Sequence, residues 1–94
     1  MDASSQHAEV EVTVSNRQGF HARPITRFVD VAMGFSSDIK VQKDRETVDG
    51  KSPMEMMLLA AVQGTVLRLI ADGPDAPDAV AALYKLINDK FGED

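Results

Sequence analysis

One histidine of this sequence is surrounded by residue types that could bind an anion and react with it. His21 directly precedes Ala22–Met33, a segment whose apolar residues recur at helical spacing. Arg17 lies upstream among turn-forming residues, and Arg23 lies in the first turn of the predicted helix. Backbone N–H groups at a helix start, the positive end of the helix dipole and guanidinium groups together suit a phosphate. The pattern predicts a phosphate site centred on His21.

The charges at this predicted helix start are unfavourable unless an anion offsets them. Arg23 and Arg27 are cations near the helix start, where each opposes the helix dipole by about 0.3–1 kcal/mol. They also repel each other at a spacing of four residues. His21 would be the N-cap although it is not a favoured capping residue, and Pro24 supplies no N–H donor. Local rules broken without compensation are typical of functional sites, so we interpret this helix start as an anion site.

A histidine in this position could carry a phosphoryl group covalently. One ring nitrogen would attack phosphorus, while the N–H groups of Ala22 and Arg23 and the Arg23 guanidinium would stabilise the charge. The alternative is that His21 is a passable helix cap or a surface group, since His-Ala-Arg-Pro is short enough to occur by chance. The residues taken alone leave both interpretations open.

Seven segments with regular hydrophobic patterns must position this histidine. Strict alternation, a hairpin around Asp44-Arg45 and a buried apolar run predict strands over Glu9–Val14, Ser37–Lys43, Glu46–Lys51 and Thr65–Ala71. Helical spacing and start signals predict helices over Ala22–Met33, Ser52 to about Ala61, and Ala76 to about Lys90. The order βαββαβα predicts an α+β fold, in which helices cover one face of a mostly antiparallel sheet.

The other two helix starts follow ordinary capping rules. Ser52 and Glu55, with Pro53 between them, form a predicted capping box. Asp75 is the predicted N-cap acceptor of the last helix, and Asp78 is a first-turn carboxylate. Of the three predicted helices, the first is therefore the one whose start departs from the ordinary capping rules.

Length and composition restrict the classes of protein. Ninety-four residues predict one domain over 1–94, and we expect residues 1–7 to be a disordered polar end. A net charge of −5 disfavours a nucleic-acid binder. The sequence has no cysteine, no apolar run of membrane-spanning length and no signal peptide, so we expect a cytoplasmic protein without membrane insertion. We expect no metal site, because His7 and His21 are the only histidines, and we expect no cofactor.

The chain resembles the histidine-containing phosphocarrier protein (HPr) family of the bacterial phosphotransferase system. The similarity extends from about Glu9 to Lys90 and is carried, in order, by residues 16–24, Met33-Gly34-Phe35, Lys51-Ser52, Gln63-Gly64-Thr65 and Asp72-Gly73. The resemblance implies an open-faced β-sandwich, in which three helices lie on one side of four antiparallel strands.

The resemblance also implies a role for the site around His21. His21 would accept on Nδ1 a phosphoryl group from Enzyme I, which takes it from phosphoenolpyruvate, and would pass it to an Enzyme IIA domain. Arg23 would be the companion arginine, with Ala22 and Arg17 also contacting the phosphate. The protein would then be a phosphoryl-transfer intermediate rather than an independent enzyme, and we expect it to be a monomer.

A shallow apolar surface for docking partners is a further implication of the resemblance. The matching positions are Phe20, Ala22, Pro53, Met54 and Met57. The alternative for the methionines is core packing, but Met54, Met56 and Met57 cannot all face inward on a helix of about two turns. We therefore expect Met54 and Met57 to be exposed. Arg17 and Arg27 are either solvated charges or a basic patch that attracts acidic partners.

Ser52 matches a position that a regulatory serine kinase phosphorylates in some members of the family. A kinase or phosphorylase acting on Ser52 is therefore a candidate partner. The predicted capping box already gives this serine a structural role. Pro53 follows it where the regulated members carry a hydrophobic residue, and Glu55 would repel a phosphoserine in the same turn.

Three functional classes follow from these observations. The first is a phosphocarrier of sugar uptake or of a regulatory, nitrogen-related branch. The second is a binding module with the same fold that is not phosphorylated, and the third is an α+β domain that senses a small anionic ligand at the same helix start. The presence of both His21 and Arg23 favours the first, because binding modules of this family typically replace the histidine.

Overall fold

Residues 6–92 are described by the computed structural model, and their elements follow the predicted order βαββαβα. The strands are β1 Gln6–Thr13, β2 Asp38–Lys43, β3 Glu46–Asp49 and β4 Val66–Gly73. The helices are α1 Ala22–Met33, α2 Pro53–Leu59 and α3 Ala76–Asn88, and a 3₁₀ turn follows over Lys90–Gly92. None of the helices in this part of the chain is both long enough and apolar enough to cross a membrane.

The four strands form one antiparallel sheet in the order β1-β4-β2-β3. The edge strand β1 pairs with β4 in register from Gln6 opposite Gly73 to Thr13 opposite Val66. This pairing places the loop after β1 beside the segment that precedes β4. Val14 and Thr65 continue the contact beyond the strands, since the Val14 N–H donates to the Thr65 carbonyl at 2.9 Å.

Alternate residues of each strand are buried under the helices. These inward residues and the apolar faces of all three helices form one core, whose largest members include Phe28, Ile39, Met56, Leu69 and Leu83. The other strand residues, such as Glu9, Glu11 and Lys40, are exposed on the opposite side of the sheet. The predicted α+β architecture, with three helices on one side of a four-stranded antiparallel sheet, is confirmed.

The first strand begins earlier than its sequence pattern indicates. Gln6 and His7 belong to β1, so the expectation of a disordered end is wrong for these two residues. His7 is held there because its ring nitrogens contact the carboxylates of Asp72 and Glu9. Residues 1–5 lie outside the described part of the chain.

The ends of α2 and α3 also differ from the predicted ends. α2 ends at Leu59, because Ala60 has a left-handed backbone with φ of 53°. α3 ends at Asn88, and the positive φ angles of Lys90 and Phe91 turn the chain back. This turn buries Phe91, which the helical pattern did not include in the core.

Asp75 has a different role from the predicted one. Its carboxylate makes no cap hydrogen bond at the start of α3. It accepts instead from the N–H groups of Ser36 and Ser37, both at 2.9 Å, and from the Ser37 hydroxyl at 2.6 Å. The Ser37 hydroxyl, followed by the Ser36 N–H, lowers the pKa of this carboxyl. Asp75 therefore joins the start of α3 to the segment after α1.

Candidate functional site

His21 is the N-cap residue of α1, as predicted. Its backbone is extended, with φ of −116° and ψ of −169°, and its carbonyl accepts the Ile25 N–H at 3.0 Å. The His21 side chain makes no cap hydrogen bond, and the first turn of α1 contains no acidic residue. The half-buried imidazole therefore lies at the positive end of a helix whose first turn carries no acidic side chain.

Two backbone donors and two cations surround this helix start. Ala22 and Arg23 carry the first N–H groups of α1, whereas the next residue, Pro24, has none. Arg23 and Arg27 are exposed, and Pro24 is buried against the core. The unfavourable charge distribution that the sequence predicts is therefore present in the fold.

An open cleft of about 800 Å³ lies over this helix start. Its lining residues are Asn16, Arg17, Gln18, His21, Ala22, Arg23 and Thr26. The fold therefore brings together the predicted site residues His21, Ala22, Arg23 and Arg17. Arg27 does not line this cleft.

Asn16 is a residue of this cleft that the motif analysis missed. It is only 1% exposed, and its amide Nδ2 donates to the Gly19 carbonyl at 2.7 Å. Its own carbonyl accepts the Gly19 N–H at 3.1 Å, so the two residues close the turn before His21. The amide Oδ1 is buried without a hydrogen-bond partner. The signal in the sequence was the asparagine itself, which commonly bonds to nearby backbone in turns.

The turn before His21 rests on the segment after α2. The Phe20 N–H donates to the Ala61 carbonyl at 2.7 Å. Gly19 has a φ of 67°, and a Cβ at this position would lie 2.4 Å from the Ala61 carbonyl oxygen. Only glycine fits this approach, so the His21 turn and the Ala61 segment form one closely packed unit.

An exposed apolar surface lies on α2, next to this unit. Met54 and Met57 are 75% and 59% exposed, and Met56 is fully buried, so the predicted exposure is confirmed. Leu58 and Val62 are also exposed, which the sequence analysis did not predict. Pro53 and Ala22 are exposed as well, so four of the five predicted docking positions are accessible.

Phe20 is the exception, and its predicted place on the docking surface is wrong. It is only 8% exposed. Its ring packs against Phe28, at 6.1 Å between centroids, and against the edge of Phe91 at 5.5 Å. Phe91, which the C-terminal turn buries, thus packs against one side of the Phe20 ring. Phe20 anchors the His21 turn to the core.

Ser52 caps α2 by one half of the predicted capping box. Its hydroxyl oxygen accepts the Glu55 N–H at 3.2 Å. The reciprocal bond is not formed, because the Glu55 carboxylate accepts the Asp49 N–H at 3.0 Å instead. Glu55 therefore ties α2 to the end of β3, and Ser52 keeps its structural role as N-cap.

Comparisons with known proteins give consistent similarities. The family model for the PTS HPr component phosphorylation site matches residues 8–89. The phosphocarrier protein HPr of Neisseria meningitidis serogroup A is 44% identical over 82 residues, which cover 87% of this chain and 92% of that protein.

Solved structures agree with these sequence similarities. The crystal structure of HPr-C-His from Thermoanaerobacter tengcongensis has a TM-score of 0.90 at 46% identity, covering 93% of this chain and 98% of that one. The crystal structure of an HPr dimer from the same organism has a TM-score of 0.75 at 46% identity, covering 92% and 99%. The similarity spans both the sheet and the helix start that carries His21.

Proposed function

This chain belongs to the HPr family of phosphotransferase-system phosphocarrier proteins, and we propose that His21 accepts a phosphoryl group from Enzyme I and passes it to Enzyme IIA domains. One observation carries the proposal. His21 caps a helix whose first turn has no acidic residue, in a cleft that Arg17 and Arg23 also line. A phosphoryl group on the ring would place negative charge beside the first turn of α1, which has no acidic residue of its own.

The chemistry assigns a distinct role to each group. The neutral imidazole of His21 supplies a lone pair from Nδ1 to phosphorus, and the bond between phosphorus and the donor enzyme breaks. The N–H groups of Ala22 and Arg23 and the guanidinium groups of Arg23 and Arg17 stabilise the phosphoryl oxygens. Transfer to the next protein reverses these steps: the bond between phosphorus and Nδ1 breaks, and the ring nitrogen regains its lone pair.

Docking of both partners involves the exposed face beside the cleft. We assign this role to Ala22, Pro53, Met54 and Met57, with Arg27 at the margin. Exposed methionines adapt to more than one apolar partner surface, which a carrier between two proteins requires. Partners of this kind place the protein in the cytoplasm.

Labelling with phosphoenolpyruvate and purified Enzyme I tests this function. The wild-type protein is expected to acquire phosphate that is labile in acid and stable in base. His21→Ala is expected to remain unlabelled. His7→Ala is the matched control, because His7 is the only other histidine and it lies outside the cleft.

The alternative classes give different results in the same experiment. A binding module that is not phosphorylated, or a domain that senses an anionic ligand, would leave the wild-type protein unlabelled. Label that persists in His21→Ala would place the chemistry at another residue. Labelled wild-type protein that cannot pass its phosphate to an Enzyme IIA domain would restrict the proposal to the first step.

Regulation at Ser52 and a monomeric state stay predictions. A phosphate on Ser52 would meet the start of α2, where the hydroxyl oxygen accepts the Glu55 N–H. The Glu55 carboxylate in the same turn would oppose the added charge. Incubation with a serine kinase specific for this family tests the modification, and sedimentation of the purified protein tests the monomer.

A further inference from the structure

Lys43, the last residue of β2, lies with its ammonium group at the C-terminal end of α2. Ile39, Val41 and Lys43 alternate along β2 and point toward the helix-covered face, where Ile39 and Val41 are buried. Nζ of Lys43 donates to the carbonyl of Leu59 at 3.1 Å and contacts that of Ala60 at 3.4 Å. A cation at this end of a helix is favourable, because the last carbonyls carry partial negative charge.

These carbonyls belong to the turn that supports the His21 loop. Ala60 has a left-handed backbone, which is unfavourable for a residue with a side chain and persists only when its surroundings hold it. The next residue, Ala61, is buried and accepts the Phe20 N–H at 2.7 Å. Phe20 is followed directly by His21. A short series of contacts therefore joins the Lys43 ammonium to the backbone of His21.

The hydrogen bonds of the Lys43 ammonium group go to this turn. Within residues 6–92 the group forms no ion pair, and the carbonyls of Leu59 and Ala60 are its hydrogen-bond partners. Glu46 lies opposite Lys43 in the β2–β3 hairpin, but the lysine side chain reaches toward α2 instead. The Lys43 ammonium group therefore holds the backbone of Leu59 and Ala60 in place.

We infer that Lys43 is a positioning residue for phosphoryl transfer, which acts by holding the Ala60–Ala61 turn against which the His21 loop is docked. Its loss frees the Ala61 carbonyl to move, weakens the bond from the Phe20 N–H and leaves His21 less fixed toward the incoming phosphorus. Displacement of a reacting group by about 1 Å can cost roughly 100-fold in rate. This inference rests on the proposed function of His21.

Two measurements on matched variants test the inference. Lys43→Met keeps the apolar stem and removes the donors, Lys43→Arg retains the donors, and Lys40→Met removes an exposed lysine from the same strand. Lys43→Met is expected to accept phosphate from Enzyme I about 10-fold more slowly at saturating Enzyme I, because the displacement of His21 would be smaller than the displacement of about 1 Å that costs roughly 100-fold. Lys43→Arg is expected to recover most of this rate, and Lys40→Met to equal the wild type.

Amide hydrogen exchange provides a readout that does not depend on phosphorylation. Lys43→Met is expected to accelerate exchange of the Phe20 amide while that of the Leu69 amide, in the centre of β4, stays protected. If Lys43→Met does not fold, Lys43→Gln replaces it in both measurements.

The outcomes separate this inference from the function on which it rests. Failure to label the wild-type protein would contradict the function, and faster Phe20 exchange would still support the positioning contact. Normal labelling of Lys43→Met with unchanged Phe20 exchange would overturn the inference. Equal acceleration of Phe20 and Leu69 exchange would also overturn it, because Lys43 would then support only global stability.

Discussion

Arg23 combines a free backbone N–H and a side-chain cation in the first turn of α1. Ala22 has the N–H without the charge, and Pro24 has neither. The N–H and the guanidinium both favour a bound phosphate, but in the free protein the guanidinium opposes the helix dipole. On the proposed function, the same residue would therefore destabilise the helix start without phosphate and stabilise it with phosphate.

Removal of this charge should have opposite effects on stability and on transfer. Arg23→Gln is expected to raise the free energy of unfolding by about 0.3–1 kcal/mol, the usual effect of a charge at a helix end. It is also expected to slow labelling of His21. Urea unfolding and the labelling rate check the two effects.

Arg45→Gln is the control for this prediction, because Arg45 lies in the exposed β2–β3 turn and not in the first turn of a helix. A loss of stability in Arg23→Gln would contradict the proposed balance of charges.

β1 is an edge strand, and charged groups on its exposed side attach it to β4. Arg68 of β4 donates to the carboxylates of Glu9 and Glu11, each at 3.0 Å. His7 extends this network to Asp72 at the start of the strand. Each exposed ion pair of this kind contributes little to the free energy of unfolding. The network therefore acts mainly by fixing the residue at which β1 begins.

The His7 contacts predict a pH dependence of stability. The hydrogen bond to Asp72, followed by that to Glu9, raises the pKa of His7 above its ordinary 6.5. The protonated ring is favoured in the fold, so its contribution is fully present below pH 6.5 and is lost as the pH rises through the higher folded pKa. The stability that His7 contributes should therefore fall as the pH rises above 6.5.

Urea unfolding of the wild type and of His7→Gln, at about pH 5.5 and about pH 8.5, measures this contribution. The two proteins are expected to differ in stability at the lower pH and to converge at the higher one. A difference of equal size at both pH values would exclude His7 titration as the cause.

The molecule as a whole is acidic, yet its charges are unevenly distributed. Residues 15–30 contain three arginines and one acid, whereas residues 72–94 contain six acids and two lysines. Local charge governs the approach of a partner more than net charge does when the two regions are separated. The net charge of −5 is therefore a poor guide to the local charge that a partner docking at the His21 cleft would meet.

Salt should slow phosphoryl transfer to an acidic partner despite the negative net charge. The screening length is about 10 Å at 0.1 M salt, so higher salt weakens attraction by Arg17 and Arg27. The second-order transfer rate is expected to fall as ionic strength rises, and to fall less steeply in Arg27→Gln. Arg45→Gln should retain the wild-type slope. A rate that rises with salt would instead indicate repulsion between the net charges.

Regular patterns made the elements predictable. Alternation indicated β1, helical spacing indicated α1, and the broken capping rules pointed to His21 and Arg23, which line one cleft in the fold. These signals are local, because they depend on residues within about two helical turns of each other. The exposure of Met54 and Met57 followed from the geometry of a short helix.

The errors concern contacts between residues distant in sequence. Phe20 is buried because Phe91 returns to it from the other end of the chain. Asp75 accepts from Ser36 and Ser37 instead of capping its own helix. The contact between Lys43 and the end of α2, for which the sequence made no prediction, is of the same kind. Spacing rules apply within single helices and strands, so they do not predict contacts between residues that are distant in sequence.

The helix-free side of the sheet allows the protein to be attached to a solid support in one orientation. Thr47 of β3 is exposed there, on the opposite face from its buried neighbour Val48. The sequence contains no cysteine, so Thr47→Cys would introduce a single thiol for coupling. A surface coated in this way would present the His21 cleft and the methionines of α2 to solution in every copy.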